Sequence, residues 1–155
     1  MSELRVPTVT LEAEILCADG RSFAGRIFLP AAASRRLGLL PTDEWMNDAR
    51  PFFPFLPAEA STAVLLNKSE VVVLTVAEAG GEDEEAAGAP LVRRVQVECR
   101  ERVVEGTVVI DMPSNQRRMQ DYLNRPEPFL IVHAGDRRHL VRKTRITRVV
   151  EPGRE

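Results

Sequence analysis

Cysteine and histidine, which supply many nucleophiles and metal ligands, are scarce in this chain. Its 155 residues include only two cysteines, Cys17 and Cys99, and each ends a run in which apolar and polar residues alternate. Alternation places every second side chain on one face of a strand, so both thiols are predicted to face the core. Because a free cysteine packs like a small apolar side chain, we predict two buried thiols and no zinc site.

Only two histidines are present, His133 and His139, and they flank a predicted hairpin turn that contains Asp136. The two rings could lie on adjacent strands, with Asp136 as a third metal ligand. Histidines near a surface turn are more often solvated side chains than ligands. We therefore expect neither a metal ion nor another cofactor.

Long apolar runs and catalytic motifs are also missing from the sequence. No apolar stretch approaches the roughly 20 residues that span a bilayer, and the first ten residues do not resemble a signal peptide. Glycine-rich phosphate-binding loops, the serine-nucleophile motif and the zinc-protease helix motif do not occur. From these absences we expect a soluble, cytoplasmic protein without membrane contact that is not an enzyme.

Aromatic residues make up only 5% of the chain, yet two of them mark a pattern that occurs twice. The segment DEWMNDARPFFPF begins at Asp43, and the similar segment QDYLNRPEPFLIV begins at Gln120. Flanking blocks match in the same order, and Gly25 of the first copy aligns with Gly106 of the second. Four matched blocks in one order are hard to obtain by chance, so we interpret the chain as a tandem duplication.

The duplication predicts the organisation of the chain. The first repeat spans residues 1–76 and the second spans residues 91–155. Residues 77–90 are rich in glycine, alanine and acidic residues and lack apolar periodicity, which predicts a flexible linker. Within each repeat we predict a mainly β (α+β) unit, a small, curled, five-stranded antiparallel sheet or barrel with one short helix between its second and third strands.

Three pairs of matched residues are predicted to anchor the two repeats. The pairs are Trp45 and Tyr122, Asn47 and Asn124, and Phe52 and Phe129. The aromatic residues of the first pair, at the helix end, are predicted to cover one open end of the curled sheet in each repeat. The asparagines are predicted to cap the helix ends, because asparagine tolerates the left-handed conformation that such a cap requires.

The order of these motifs resembles a family of short bacterial domains of unknown function. In that family a strand pair, a helix end of the form D-x-L-N, a phenylalanine strand and an N-K-x-x-I strand recur. The segment LLNKSEV keeps the asparagine of the last motif, whereas LVRKTRI has Arg142 in its place. The curled sheet of each copy resembles an Sm- or SH3-like barrel, and the resemblance implies no activity.

Charge distinguishes the two halves of the chain. Residues 1–90 contain 7 Lys and Arg against 14 Asp and Glu, a formal charge of −7, whereas residues 91–155 contain 14 against 9, a charge of +5. The basic excess is concentrated in the last two predicted strands, while the matching last strand of the first repeat is almost wholly apolar. A strand that is apolar on both faces is expected where other structure covers each face.

Two functions are consistent with this pattern. In the leading hypothesis the apolar strand docks against the other repeat or another subunit, and the protein is a non-catalytic interaction or assembly module, an adaptor or scaffold. It would then bind a protein partner or associate with itself. The candidate interface residues are Val71, Val72, Val73, Leu74 and Val76.

The alternative hypothesis is that the basic strands bind the phosphates of a nucleic acid, as the strands of other small barrels do. The candidate contacts are Arg137, Arg138, Arg142, Lys143, Arg145 and Arg148. The whole chain, however, carries a net charge of −2, and most of its aromatic residues lie far from these strands in sequence. We therefore rank nucleic-acid binding second.

Overall fold

The computed structural model describes residues 8–30, 45–77, 91–100, 102–110 and 118–152, so the predicted linker lies outside the described residues except for Ala77. The strands of the first half are β1 (Thr8–Cys17), β2 (Ser22–Pro30), β3 (Phe52–Pro57), β4 (Val64–Asn67) and β5 (Val71–Val76). Those of the second half are β6 (Leu91–Cys99), β7 (Arg102–Ile110), β8 (Phe129–Ala134), β9 (Arg137–Arg142) and β10 (Ile146–Val150). The helical segments are residues 45–47, the helix Met119–Leu123, and the 3₁₀ turns Lys68–Glu70 and Lys143–Arg145.

The ten strands form a single antiparallel sheet in the order β10-β6-β7-β8-β9-β5-β1-β2-β3-β4. The predicted mainly β class with antiparallel strands is confirmed. The sequence predicts two sheets of five strands, but the structure joins all ten because β5 pairs with β9. The sheet is open, and β10 and β4 lie at its two ends.

The two halves have the same strand order and the same register. Within each half, the fifth strand pairs with the first, and the first four follow one another in sequence order. Phe52 of β3 lies opposite Asn67 of β4, and Phe129 of β8 lies opposite Arg142 of β9. Positions that match in the sequence therefore occupy matching places in the sheet.

A glycine lies where the second strand of each half meets the third. A Cβ atom built on Gly25 would overlap the backbone carbonyl oxygen of Leu56, and one built on Gly106 would overlap that of His133. A larger residue would push the strands apart, and overfilling a packed site of this kind costs about 1–3 kcal/mol. The two matched glycines thus allow the close approach that continues the sheet from its second strand to its third.

The buried side chains of the sheet form two apolar cores, and each core contains residues from both halves of the chain. The first core consists of Ala13, Ile15, Cys17, Ile27, Met46, Phe53, Phe55, Val71, Leu74, Val76, Phe129 and Leu140. The second consists of Val72, Val73, Val95, Val97, Cys99, Val104, Val108, Ile110, Leu130, Val132 and Val141. Strand β5 contributes side chains to both cores, which explains why it is apolar on both faces.

Both cysteines are buried and unpaired, as predicted. Cys17 belongs to the first core and Cys99 to the second. Burial raises the pKa of each thiol, because it disfavours the charged thiolate. The two residues therefore act as small apolar side chains within the sheet.

The predicted anchors lie in different surroundings. Trp45 packs edge-to-face on Phe53, with the ring centroids 5.1 Å apart. Asn124 ends the helix, but its φ of −88° is not left-handed, so that part of the prediction is wrong. Phe129 is 1% exposed, whereas Phe52 is 54% exposed, so this matched pair does not share one environment.

Candidate functional site

The pairing of β5 with β9 forms a junction between the two halves of the chain. The opposed residues are Val73 and Val141, Leu74 and Leu140, Thr75 and His139, and Val76 and Arg138. The predicted interface residues Val71, Val72, Val73, Leu74 and Val76 are all at most 8% exposed. The structure therefore places this strand in the interior of the sheet, against the second half of the same chain.

Side-chain contacts reinforce one end of this junction. The side-chain oxygen of Asn47 accepts a hydrogen bond from the backbone N–H of Phe129 at 2.8 Å. The guanidinium of Arg142 donates to the backbone carbonyl of Lys68 through Nε at 3.0 Å and through Nη2 at 2.8 Å. It also lies over the Phe129 ring, 4.9 Å from the centroid. We call Asn47, Lys68, Phe129 and Arg142 the junction cluster.

The junction cluster gives two of the sequence-predicted residues new roles. Asn47 is predicted to cap its own helix, and its side chain also accepts a hydrogen bond from the other half of the chain. Arg142 is predicted to bind an anion, and two of its five N–H donors are directed at a backbone carbonyl. Burial, and secondarily the charge of Arg145, lowers the pKa of Arg142. The sequence signal for Arg142 is its departure from the N-K-x-x-I motif.

A lysine at the start of each 3₁₀ turn holds that turn to the segment after the helix. Lys68 is 5% exposed, and its Nζ donates to the Trp45 carbonyl at 2.6 Å and to Asp48 Oδ1 at 2.8 Å. Partial burial alone would raise the pKa of Asp48, but hydrogen bonds from a neighbouring arginine and from Lys68 lower it to about 2. Lys143 donates in the same way to the Arg125 carbonyl at 3.0 Å, and burial lowers its pKa.

The other predicted anion contacts differ in their exposure. Arg138 is only 2% exposed. Arg148 forms an ion pair with Glu98 at 2.9 Å, and this hydrogen-bonded contact raises the pKa of Arg148 and lowers that of Glu98. Arg137, Arg145 and Arg148 are exposed. Several of the predicted cations thus hold parts of the fold together.

A threonine and a histidine meet across the junction. The Thr75 hydroxyl lies 2.8 Å from Nδ1 of His139. Burial, with smaller contributions from Arg102 and Arg137, lowers the pKa of His139 and so favours the neutral ring. Thr75 is only 4% exposed. Among the described residues, no cluster of three His, Cys, Asp or Glu side chains could hold a metal ion.

The two ends of the sheet, β4 and β10, have no further strand beside them among the described residues. The β4 end carries exposed apolar side chains: Leu65 is 69% exposed, Val64 is 42% exposed, and Phe52 on the adjacent β3 is 54% exposed. A sheet end with unpaired backbone groups and apolar side chains is a template for pairing with another chain. We call Phe52, Val64 and Leu65 the apolar edge.

No family model, no curated protein and no solved structure matches this chain. In the described ranges, no helix is both long enough and apolar enough to cross a membrane. The function is therefore argued from the junction and from the two sheet ends.

We predict that Arg142→Lys lowers the free energy of unfolding by about 1–2 kcal/mol, although it preserves the charge. A lysine can neither donate in a planar fork to the Lys68 carbonyl nor stack its head group on Phe129. Urea denaturation followed by circular dichroism measures the change. Arg145→Lys is the matched control, because Arg145 is exposed and its substitution should alter stability by less than about 0.5 kcal/mol. Equal stability of both variants would contradict the structural role of Arg142.

We also predict that His139→Gln reduces the loss of stability between pH 7 and pH 5. The pKa of His139 is lowered in the folded protein, so the unfolded chain binds a proton first as the pH falls through about 6.5. Stability contributed by the neutral ring is therefore present above that pH and is lost below it. Urea denaturation at pH 5, 6 and 7 gives the free energy of unfolding at each pH. This free energy should change less with pH for the variant than for the natural chain. An identical change with pH in both proteins would show that His139 does not contribute.

Proposed function

We propose that this protein is a non-catalytic interaction and assembly module that associates with other protein chains through the ends of its sheet. The observation that carries the proposal is the apolar edge, where three exposed apolar side chains lie on or beside β4, which has no further strand next to it among the described residues. A strand added there would satisfy backbone N–H and C=O groups and remove apolar surface from water.

The proposal treats the chain as a tandem duplication of one curled, barrel-like, five-stranded unit. The common strand order and register of the two halves support this interpretation. Within the chain, one unit already associates with the other by strand pairing at the junction. A unit that binds its neighbour by a strand edge is suited to assembly. A cytoplasmic location is part of the proposal, because two free buried thiols suit a reducing compartment.

Nucleic-acid binding by the basic strands is the second candidate, and the described contacts give it less support. Arg142 and Lys143 donate to backbone carbonyls, and Arg148 pairs with a carboxylate. One observation favours it: Arg100 and Arg145 line a groove of about 200 Å³ together with Thr144 and Thr147. A groove of this size can accommodate a phosphate, so the experiment below also measures bound nucleic acid.

We predict that the molar mass of the protein in solution rises with protein concentration. Multi-angle light scattering at low and high salt, with absorbance at 260 nm recorded on the same peak, tests this. Leu65→Lys should shift the protein toward the monomer, because a lysine on an edge strand opposes pairing. The residue is 69% exposed, so the folded chain should tolerate the change.

Val103→Lys is the matched control, because Val103 is similarly exposed, at 53%, but lies on β7, away from both ends of the sheet. This variant should associate like the natural chain. A monomer that carries 260 nm absorbance, removed by high salt, would contradict the assembly function and favour nucleic-acid binding. An oligomer that persists in Leu65→Lys would show that association uses another surface.

A further inference from the structure

The two ends of the sheet correspond to the two strands that meet at the junction. The β4 end is the counterpart of β9, because Asn67 and Arg142 occupy the same register position opposite Phe52 and Phe129. The β10 end is the counterpart of β5, since each is the fifth strand of its half and pairs with the first. The molecule thus presents at its ends the two complementary edges that the junction joins internally.

Exposure differs sharply between matched positions on β4 and β9. Leu140 of β9 is 0% exposed, and its counterpart Leu65 is 69% exposed. On the neighbouring strands, Phe129 of β8 is 1% exposed, while its counterpart Phe52 of β3 is 54% exposed. At the junction these apolar side chains are covered by the neighbouring half. At the β4 end the same positions are left in water, as expected of a surface whose neighbour is another molecule.

The β10 end offers the complementary features. Ile146 and Val149 are partly buried and pack against the second core. The strand Ile146–Val150 contains no proline, so each of its residues has a backbone N–H. Asn124 is exposed at the position that matches Asn47, the residue that accepts the Phe129 N–H across the junction. An acceptor for the N–H of an incoming phenylalanine is therefore present here too.

We propose that β4 of one copy of this chain pairs antiparallel with β10 of a second copy, in the register of the internal junction. Leu74 lies opposite Leu140 within the chain, so Val149 of one copy would lie opposite Leu65 of the next. Val150 would likewise lie opposite Val64. The inference rests on the proposed assembly function and names its partner as a second copy of the chain.

Head-to-tail contact between copies is favoured over other pairings by charge and by shape. The β4 end belongs to a repeat whose residues 1–76 carry a formal charge of −2, and the β10 end belongs to a repeat of charge +5, so charge favours contact between unlike ends. The junction also shows that strands with these two sequence patterns pair in a defined register within the chain. A two-fold pairing of β4 with β4 has no such counterpart in the molecule. A contact between unlike surfaces repeats from copy to copy and produces a closed ring or a filament.

The contact between copies lacks one element of the junction cluster. Asn67 stands where the junction has Arg142, and its side chain instead accepts hydrogen bonds from the N–H and hydroxyl of Ser69, both at 2.9 Å. No guanidinium therefore reaches the carbonyl of the next copy or stacks on Phe52. Association between copies should accordingly be weaker than the internal junction and depend on concentration.

Disulfide trapping between two single variants tests the inference. Leu65→Cys and Val149→Cys are mixed, oxidised, digested and examined by mass spectrometry for linked peptides. Directly opposed residues of antiparallel strands have Cα atoms about 4.5–5.5 Å apart, within the range that a disulfide spans. We expect a disulfide between positions 65 and 149 in the mixture, and none between two copies of either variant alone.

A mixture of Leu65→Cys with Val150→Cys is the register control. A shift of one residue turns a side chain to the opposite face of the sheet, so this mixture should give little disulfide. A disulfide between position 65 of two copies would overturn the inference but not the assembly function. An increase in molar mass without a disulfide at any of these positions would have the same meaning. A chain that stays monomeric without links would count against both the inference and the assembly function.

Asn67→Arg provides an independent test by gain of affinity. It restores the missing guanidinium at the β4 end, so the concentration for half-association in light scattering should fall about tenfold, the effect of one charge-assisted hydrogen bond. Asn67→Lys also removes the local cap and adds the same charge, but it lacks the planar fork. Equal association of the two variants would overturn the proposed register.

Discussion

Backbone hydrogen bonding between β5 and β9 is the interaction on which the rest of this structure depends. A strand whose N–H and C=O groups face neither water nor another strand is strongly destabilised, and β5 is buried on both faces. Its second edge therefore needs a partner, which β9 supplies. Once these strands pair, the side chains of each half complete the apolar core of the other, and ten strands become one sheet.

The same pairing explains why matched positions differ in exposure between the two halves. Phe129 is covered because the junction places it beside the first half, and Arg142 can then reach the carbonyl of Lys68. Phe52 and Asn67 occupy the matching positions at a sheet end, where no strand of the described chain follows. The exposure of Phe52 results from its place in the sheet and not from its residue type, because Phe129 is the same residue at the matching position.

Local patterns were sufficient to predict several features of the fold. Alternation of apolar residues predicted the strands that contain Cys17 and Cys99, because a half-buried strand has a period of two. The apolar stretch 71–76 predicted a strand covered on both faces. The contact between Arg142 and the first half was not predicted, because its acceptor is the backbone of Lys68, 74 residues earlier in the chain. A backbone carbonyl exists at every residue, so nothing in the sequence singles out this one.

The sequence by itself determined the mainly β class, the order of the strands along the chain, the matched motifs of the two halves and the burial of both thiols. These features depend on periodicity and on turn residues, which act over short distances along the chain. Only the tertiary structure decided that β5 meets β9, that Asn47 contacts Phe129 across the junction, and that the apolar edge is left exposed. Such contacts depend on which strand edges come together in space, and sequence separation does not encode that choice.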